Sequence, residues 1–251
     1  MLFRSRPYPQ FTGVNEDLVS VGYAYYKAFE MVFNKRLSHG FHAAVNYTLS
    51  RTTEATGFQN APYDANGNPA VPFNDLASID RTHHIAIRAL YELPFGPGKP
   101  IGGNTTGAVA RLIGGWQFNL LHEYLTGNPT AMPNGILKPG CDPALPAGQQ
   151  TRDKWFDTTC FSSTPTNDFR TTPFRMNDVR DPAITNTAFS VFKSNQLGRV
   201  KVQFRAELFN PFNVRIYGGP NTTITSSQFG RISPTQFNFP RTGQLGVHIT
   251  F

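Results

Sequence analysis

Apolar and polar side chains alternate with a period of two along most of this chain, and the 3.6-residue spacing of a helix is nearly absent. Successive side chains of an extended strand point to opposite faces, so each alternating run predicts a strand with one apolar and one polar face. Residues 23–36 place Phe29, Met31 and Phe33 on one face and Glu30 and Asn34 on the other. The tetrapeptide LSHG at 37–40 turns the chain into residues 41–50, where Phe41, Ala43, Val45, Tyr47 and Leu49 alternate with His42, Asn46, Thr48 and Ser50. Two such runs across a short Gly-containing turn predict a hairpin. The pattern resumes at 83–94, with Ile85, Ile87, Ala89, Tyr91 and Leu93 on one side and Arg88 and Glu92 on the other. At 114–127, Trp116, Phe118, Leu120 and Tyr124 alternate with Gln117, Asn119 and Glu123. Residues 185–195 set Thr187, Phe189 and Val191 on one face, and QLGR at 196–199 turns the chain again. The clearest run is 200–210, where Val200, Val202, Phe204, Ala206 and Leu208 alternate with Lys201, Gln203, Arg205 and Glu207. The last nine residues, GQLGVHITF, carry the alternation to the end, with Leu245, Val247, Ile249 and Phe251 on one face and His248 on the other.

These runs predict about seven strands of roughly 9–14 residues. Globular strands average about 5–6 residues, whereas a tilted strand crossing a bilayer needs about 9–11. The connections alternate too. Those at 37–40, 95–112 and 196–199 are short or moderate, while those at 51–80, 128–182 and 211–240 are long and irregular. Outer-membrane barrels pair short periplasmic turns with long extracellular loops. One assignment of sides satisfies every connection, and it puts the C-terminus in the periplasm. The expected fold is therefore all-β, an antiparallel transmembrane β-barrel segment that is incomplete as a barrel. No run of about 18 apolar residues occurs, which argues against a transmembrane helix but not against a barrel, whose alternating strands average to a slightly polar hydropathy.

In a barrel the two faces acquire different solvents. Phe204, Leu208, Leu245, Val247 and Ile249 are expected to face lipid. Glu30, Arg88, Glu92, Glu123, Lys201, Gln203, Arg205, Glu207 and His248 are expected to face the lumen, with Asn34, His42, Asn46, Gln117 and Asn119. That polar set mixes both signs of charge. It reads either as a wall that contacts a plug or lines a substrate path, or as a hydrogen-bonded ladder that keeps the face wetted and in register. Tyr23, Tyr25, Tyr91, Trp116 and Tyr124 are candidates for aromatic girdles at the membrane interfaces, with ordinary packing on a sheet face as the alternative. Phe251, a terminal aromatic on the apolar face, resembles the C-terminal signal that the outer-membrane assembly machinery reads. A last strand in lipid must keep its backbone paired, which explains an alternation that does not fray.

Composition changes the picture little. The formal net charge is +7, but the basic residues are scattered singly, so nucleic acid is not an expected partner. MLFRSRPYPQF at the start lacks the apolar core of a signal peptide, so either the protein is cytosolic or its true N-terminus lies upstream; the strand pattern favours the second. The two cysteines, Cys141 and Cys160, sit in one polar loop without a CxxC or nearby zinc-site spacing. They predict a disulfide in an oxidising compartment, with two free thiols as the alternative. His83 and His84 are adjacent, so on a strand they point to opposite faces and do not readily chelate one metal. No GxSxG, HExxH, Walker A or GxGxxG motif occurs, and no catalytic role or cofactor is expected.

Several phrases occur in a telling order: RPYPQFTGV (6–14), FNKRLSHGFHAAVNYTLSRT (33–52), ALYELPFGPGK (89–99), IGGWQFNLLHEYLTGNP (113–129), KWFDTTCF (154–161), VKVQFRAELFNPFN (200–213) and FGRISPTQFNFPRTGQLGVHITF (229–251). Together they resemble the C-terminal barrel portion of Oar-like TonB-dependent receptors. The resemblance implies a parent barrel of about 22 strands with a plugged lumen. It also implies an N-terminal regulatory-like domain, a plug and a TonB-contacting segment, none of which residues 1–251 contain. The implied function is uptake of an unknown substrate across the outer membrane of a Gram-negative bacterium. The implied partners are membrane lipid and lipopolysaccharide, the barrel assembly machinery, and the TonB system through the missing regions. The alternative is a small outer-membrane or secreted β-protein with adhesive loops that transports nothing.

Overall fold

A computed structural model of the chain describes residues 20–59, 70–146, 148–165 and 168–251. In chain order these form β1 (Tyr23–Ser38), β2 (Phe41–Ala55), β3 (Asp75–Leu76), β4 (His83–Glu92), helix α1 (Gly107–Ile113), β5 (Trp116–Leu125), β6 (Pro129–Ala131), β7 (Gly135–Leu137), β8 (Phe161–Ser163), β9 (Arg175–Arg180), β10 (Ile184–Leu197), β11 (Val200–Phe209) and β12 (Thr242–Thr250). The seven long strands make one antiparallel sheet in the order β1-β2-β4-β5-β10-β11-β12, with β3 added to the outer end of β2. Every long strand therefore pairs with the long strands next to it in sequence. β1 and β12 do not pair with each other, so the sheet is open. The segment 6–14, where Pro7 and Pro9 each remove a backbone donor and argue against an eighth strand, lies outside the described residues.

Turn chemistry sets the register. Ser38 pairs with Phe41 across a two-residue turn in which His39 and Gly40 both have positive φ, 52° and 77°. That is the type I′ geometry, whose twist matches that of the flanking strands. At the other tight turn Leu197 pairs with Val200, and Gly198 supplies the positive φ at the first central position.

The register also sorts the side chains across the whole sheet. Phe33 lies opposite Val45, Val45 opposite Ile87, Tyr91 opposite Phe118, Phe118 opposite Val191, Val191 opposite Ala206, and Ala206 opposite Leu245. One face is thus apolar from edge to edge, and the polar positions share the other.

Three features depart from the alternation. The moderate connection after β4, 95–112 by the alternation, leads into α1, a two-turn helix whose residues are not buried. β2 runs on to Ala55, five residues into the expected loop, because Tyr23 to Lys27 of β1 pair with Arg51 to Ala55 on one edge and β3 supplies a partner for Thr53 and Glu54 on the other. The stretch 128–182 holds four short strands, β6 paired with β9 and β7 with β8, plus a 3-10 turn at Thr158–Cys160. This stretch and part of the 211–240 loop build a cap over the ends of the strands. The buried cluster of the protein is here: Met132, Phe156, Cys160, Phe161 and Val179, with Ile224 and Phe229 packed against it.

Candidate functional site

The polar face of the sheet brings together every residue expected on it. Glu30 of β1, Arg88 and Glu92 of β4, Glu123 of β5, Lys201, Gln203, Arg205 and Glu207 of β11, and His248 of β12 share one side by register. Much of this face is knitted laterally. The Gln203 amide donates to Ser194 Oγ at 3.0 Å, and Arg205 Nε donates to Gln203 Oε1 at 2.7 Å. Gln244 donates to Glu207 across the last strand pair. His84 Nε2 and Glu123 Oε1 lie 3.1 Å apart, and Lys99 Nζ donates to Glu92 at 2.8 Å. Asn119 accepts from Gln117 at 2.7 Å, but its own Nδ2 is buried with no partner among the described residues. Leu121 and Phe192 also sit on this face, and the Arg205 guanidinium lies over the Phe192 ring at 5.2 Å. Pairs of this kind are worth a few tenths to about 1 kcal/mol each, enough to hold register in a wet face.

The apolar face carries Phe204, Leu208, Leu245, Val247 and Ile249, with Phe204 directly opposite Val247 and Val202 opposite Ile249. Two pairs of its polar members satisfy each other. Tyr47 Oη and His83 Nδ1 share a hydrogen bond at 2.9 Å, and His122 Nδ1 and Thr187 Oγ1 share one at 3.0 Å. A polar group on an apolar surface is costly unless so paired. The five girdle candidates all lie on this face. Tyr23, Tyr25 and Tyr124 sit toward the cap end, and Tyr91 and Trp116 toward the turn end. Lys193 interrupts the apolar pattern at the turn end. Its Nζ donates to the carbonyls of Arg111 and Gly114 at the C-terminus of α1 and lies 5.4 Å from the Trp116 ring centroid. Helix C-termini attract cations, so α1 gives this lysine a partner that the strand pattern does not announce.

The cap is fastened to the sheet by two arginines of β9. Arg180 Nη2 donates to Asp80 Oδ2 at 2.7 Å, while Asp80 Oδ1 accepts from the Thr52 amide of β2 at 2.6 Å. Asp80 is 1% exposed. Arg180 Nη1 donates to the Gly127 carbonyl at 3.1 Å, so one guanidinium joins β9 to the chain leaving β5. Arg175 Nη1 donates to Glu54 at 3.0 Å and to the Leu76 carbonyl at 3.0 Å, and its amide donates to Asp75 at 2.8 Å. Neither arginine stands out in the sequence, because the residues they join lie about a hundred positions away. The disulfide Cys141–Cys160, with its Cα atoms 5.5 Å apart, closes the cap beside Phe156 and Phe161. The Phe156, Phe161 and Phe229 rings meet edge to face, with centroids 5.4–5.9 Å apart. The apolar phrase WF at 155–156, set in a polar loop, was the one available hint of this core.

Two carboxylates of the cap have shifted affinities for protons. Burial pushes the Asp181 carboxyl up from its ordinary value, while the Thr130 hydroxyl and the nearby Arg81 pull it partly back. The Asp157 carboxylate is held low, first by the Thr159 amide, which it accepts while capping the 3-10 turn, and then by the Thr159 hydroxyl. Among the described residues, no group of three or more His, Cys, Asp and Glu is placed to hold a metal ion.

An open antiparallel sheet of membrane-spanning strand lengths, apolar on one face and polar on the other, is the arrangement of an outer-membrane barrel wall. The family model for the outer membrane beta barrel domain matches residues 3–244. The chain belongs to the outer membrane beta barrel domain family. That membership implies residence in the outer membrane of a Gram-negative bacterium. No curated protein and no solved structure matches the chain. The family description covers the barrel; it does not extend to a ligand, a substrate or an energy source.

Proposed function

We propose that the chain forms an arc of the barrel of a TonB-dependent receptor of the Oar-like type and contributes to substrate uptake across the outer membrane. The carrying observation is the open sheet. Seven strands pair in sequence order, and among the described residues the outer edges of β1 and β12 have no partner. Unpaired N–H and C=O groups do not persist in lipid, so each edge requires a further strand. The ordered phrases shared with Oar-like receptors support a large parent barrel. Under this reading the apolar face meets lipid and the polar face lines the lumen. There the mixed charges of Glu30, Arg88, Glu123, Lys201 and Glu207 would meet a plug or a passing solute. The role is transport rather than catalysis, with energy from the TonB system reaching the barrel through other regions of the receptor. Phe251 would present the assembly signal to the barrel assembly machinery.

The test is expression of residues 1–251 behind a signal peptide, followed by outer-membrane fractionation and a heat-modifiability gel. The arc predicts no stable, heat-modifiable monomer unless the remaining strands are supplied. A stably inserted, heat-modifiable monomer would instead establish a complete small barrel. The well-packed, disulfide-closed cap favours a second reading in that event, a non-transporting surface protein whose rigid loops adhere to a partner.

A further inference from the structure

The charged residues that the register places on the apolar face, histidines aside, are Lys27, Lys35, Arg51 and Lys193, and all four are basic. The acidic residues of the long strands, Glu30, Glu54, Glu92, Glu123 and Glu207, occupy the polar face. The four cations stand at the two borders of the apolar band, two at each end, and the two ends differ.

At the turn end both cations are occupied. Lys35 donates to Ser38 Oγ at 2.6 Å and to the Phe41 carbonyl at 3.5 Å, and it lies 5.6 Å from the Phe41 ring centroid. Lys193 is held by the carbonyls of α1. At the cap end Lys27 and Arg51 lie directly opposite each other in the register. Directly opposed side chains are about 5 Å apart at Cβ, and like charges so placed repel. Neither has an acidic partner among the described residues. The next pairs inward are Phe29 with Leu49 and Met31 with Tyr47; the next pair outward is Tyr25 with Thr53. Beside Arg51 a polar pocket of about 200 Å³ is lined by Arg51, Thr53, Asn74, Asp75, Arg175 and Asn177. The eight steps from Lys27 to Lys35 span about 27 Å along a strand. With the usual barrel tilt this is roughly 20 Å of depth, close to the height of an outer-membrane apolar band.

We propose that Lys27 and Arg51, with the adjoining polar pocket, bind the phosphorylated disaccharide head of a lipopolysaccharide molecule in the outer leaflet, its acyl chains lying over Phe29, Leu49 and Met31. This rests on the orientation given above, with the cap outside. Lipopolysaccharide fits because its head joins anionic phosphates and hydrogen-bonding sugars to acyl chains. The site offers two cations without acidic partners, amide and hydroxyl groups and an apolar wall in the same order, and the carboxylate of its pocket, Asp75, already accepts from the Arg175 and Leu76 amides. A bridging phosphate also turns the Lys27–Arg51 repulsion into attraction.

The experiment uses the chain together with the strands that complete its barrel, extracted from outer membranes, as wild type, as the double variant Lys27→Gln/Arg51→Gln, as Lys27→Arg and as Lys35→Gln. Outer-membrane fractionation and heat-modifiability come first for each. A completed wild-type barrel absent from the outer membrane defeats the orientation itself and the inference with it. A variant that fails to insert is replaced by Arg51→Lys/Lys27→Gln, which keeps one charge. Binding of bis-phosphorylated lipid A, monophosphorylated lipid A, phosphatidylglycerol and inorganic phosphate is then followed by native mass spectrometry. The expected result is retention of lipid A by wild type, Lys27→Arg and Lys35→Gln, and binding about tenfold or more weaker in the double variant. Monophosphorylated lipid A should bind less tightly than the bis-phosphorylated form. Equal lipid A binding by wild type and the double variant would overturn the site. Equal competition by phosphatidylglycerol or inorganic phosphate would also overturn it, by showing a generic anion surface.

Discussion

Phe204 of the sheet is 51% exposed, and Phe156 of the cap is 0% exposed. The same residue type serves two regions built on different terms. In the sheet, Ala43 and Ala55 are the apolar residues of the long strands that the protein itself buries, while Phe29, Phe33, Phe118, Phe204 and Val247 stay open on one face. In the cap, Phe156, Phe161 and Val179 are removed from solvent, a disulfide closes the chain, and the buried Arg180–Asp80 and half-buried Arg175–Glu54 ion pairs fasten it below. An outer-membrane barrel wall uses lipid as the solvent of its outward face and needs no internal core there. A cap in water must bury its apolar groups or lose the free energy of doing so, about 25 cal/mol per Å². The lesson is that backbone pairing carries the sheet and side-chain packing carries the cap. Perturbations should therefore separate cleanly. The two tryptophans make the separation measurable, since Trp116 belongs to the sheet and Trp155 packs against the cap core.

The largest effect is expected from Asp80→Ala. It leaves the Arg180 guanidinium without its carboxylate and the Thr52 amide without its acceptor. Removing one partner of a buried pair costs about 3–5 kcal/mol. Trp155 fluorescence should report cap unfolding at much lower denaturant, with the Trp116 transition nearly in place. Coincident movement of both signals would show that cap and sheet are one cooperative unit.

Next is Phe204→Arg, expected to cost about 2–4 kcal/mol if the residue meets lipid near the bilayer midplane. Gln203→Ala, one residue away on the other face, should cost far less. Measured in reconstituted protein, equal costs at the two positions would refute the assignment of faces. The cap signal should follow neither variant.

Loss of the Cys141–Cys160 disulfide, by reduction or by Ser at both positions, is expected to lower cap stability by up to about 3 kcal/mol in the chain-entropy model. The sheet transition should not move. Thiol labelling before and after reduction checks that the bond forms in exported protein; two thiols labelled without reductant would show that it does not.

The smallest effect is a pH dependence confined to the cap. Asp181 binds its proton more tightly in the folded state, so protonation stabilises the cap. Its contribution is most favourable below the ordinary carboxylate value of 3.8 and declines as pH rises through the raised folded value. Asp157 acts in the opposite sense: its contribution is present above 3.8 and is lost as pH falls through its lowered folded value. The two windows do not overlap. Asp181→Asn should flatten the Trp155 midpoint above pH 3.8 and leave the lower window unchanged.

The local rules for the sheet are all in the sequence. A period of two names the strands and their faces, and His39-Gly40 and Gly198 name the tight turns, because side-chain alternation and turn dihedrals are properties of neighbouring residues. Sequential antiparallel pairing adds little further information, so the order of the seven strands and the shared face of Glu30, Arg88, Lys201 and His248 were legible as well. What the alternation could not show depends on contacts between distant segments. Asp80 meets Arg180, Glu54 meets Arg175, and Phe156 meets Phe229 across long stretches of chain with no repeating pattern. The same holds for Lys193, whose partner is the end of a helix formed about 80 residues earlier. It holds for Lys27 and Arg51, ordinary surface cations in the sequence that become an opposed pair only once the register sets them face to face. Periodicity fixes which way a side chain points; only the folded chain decides what waits there to meet it.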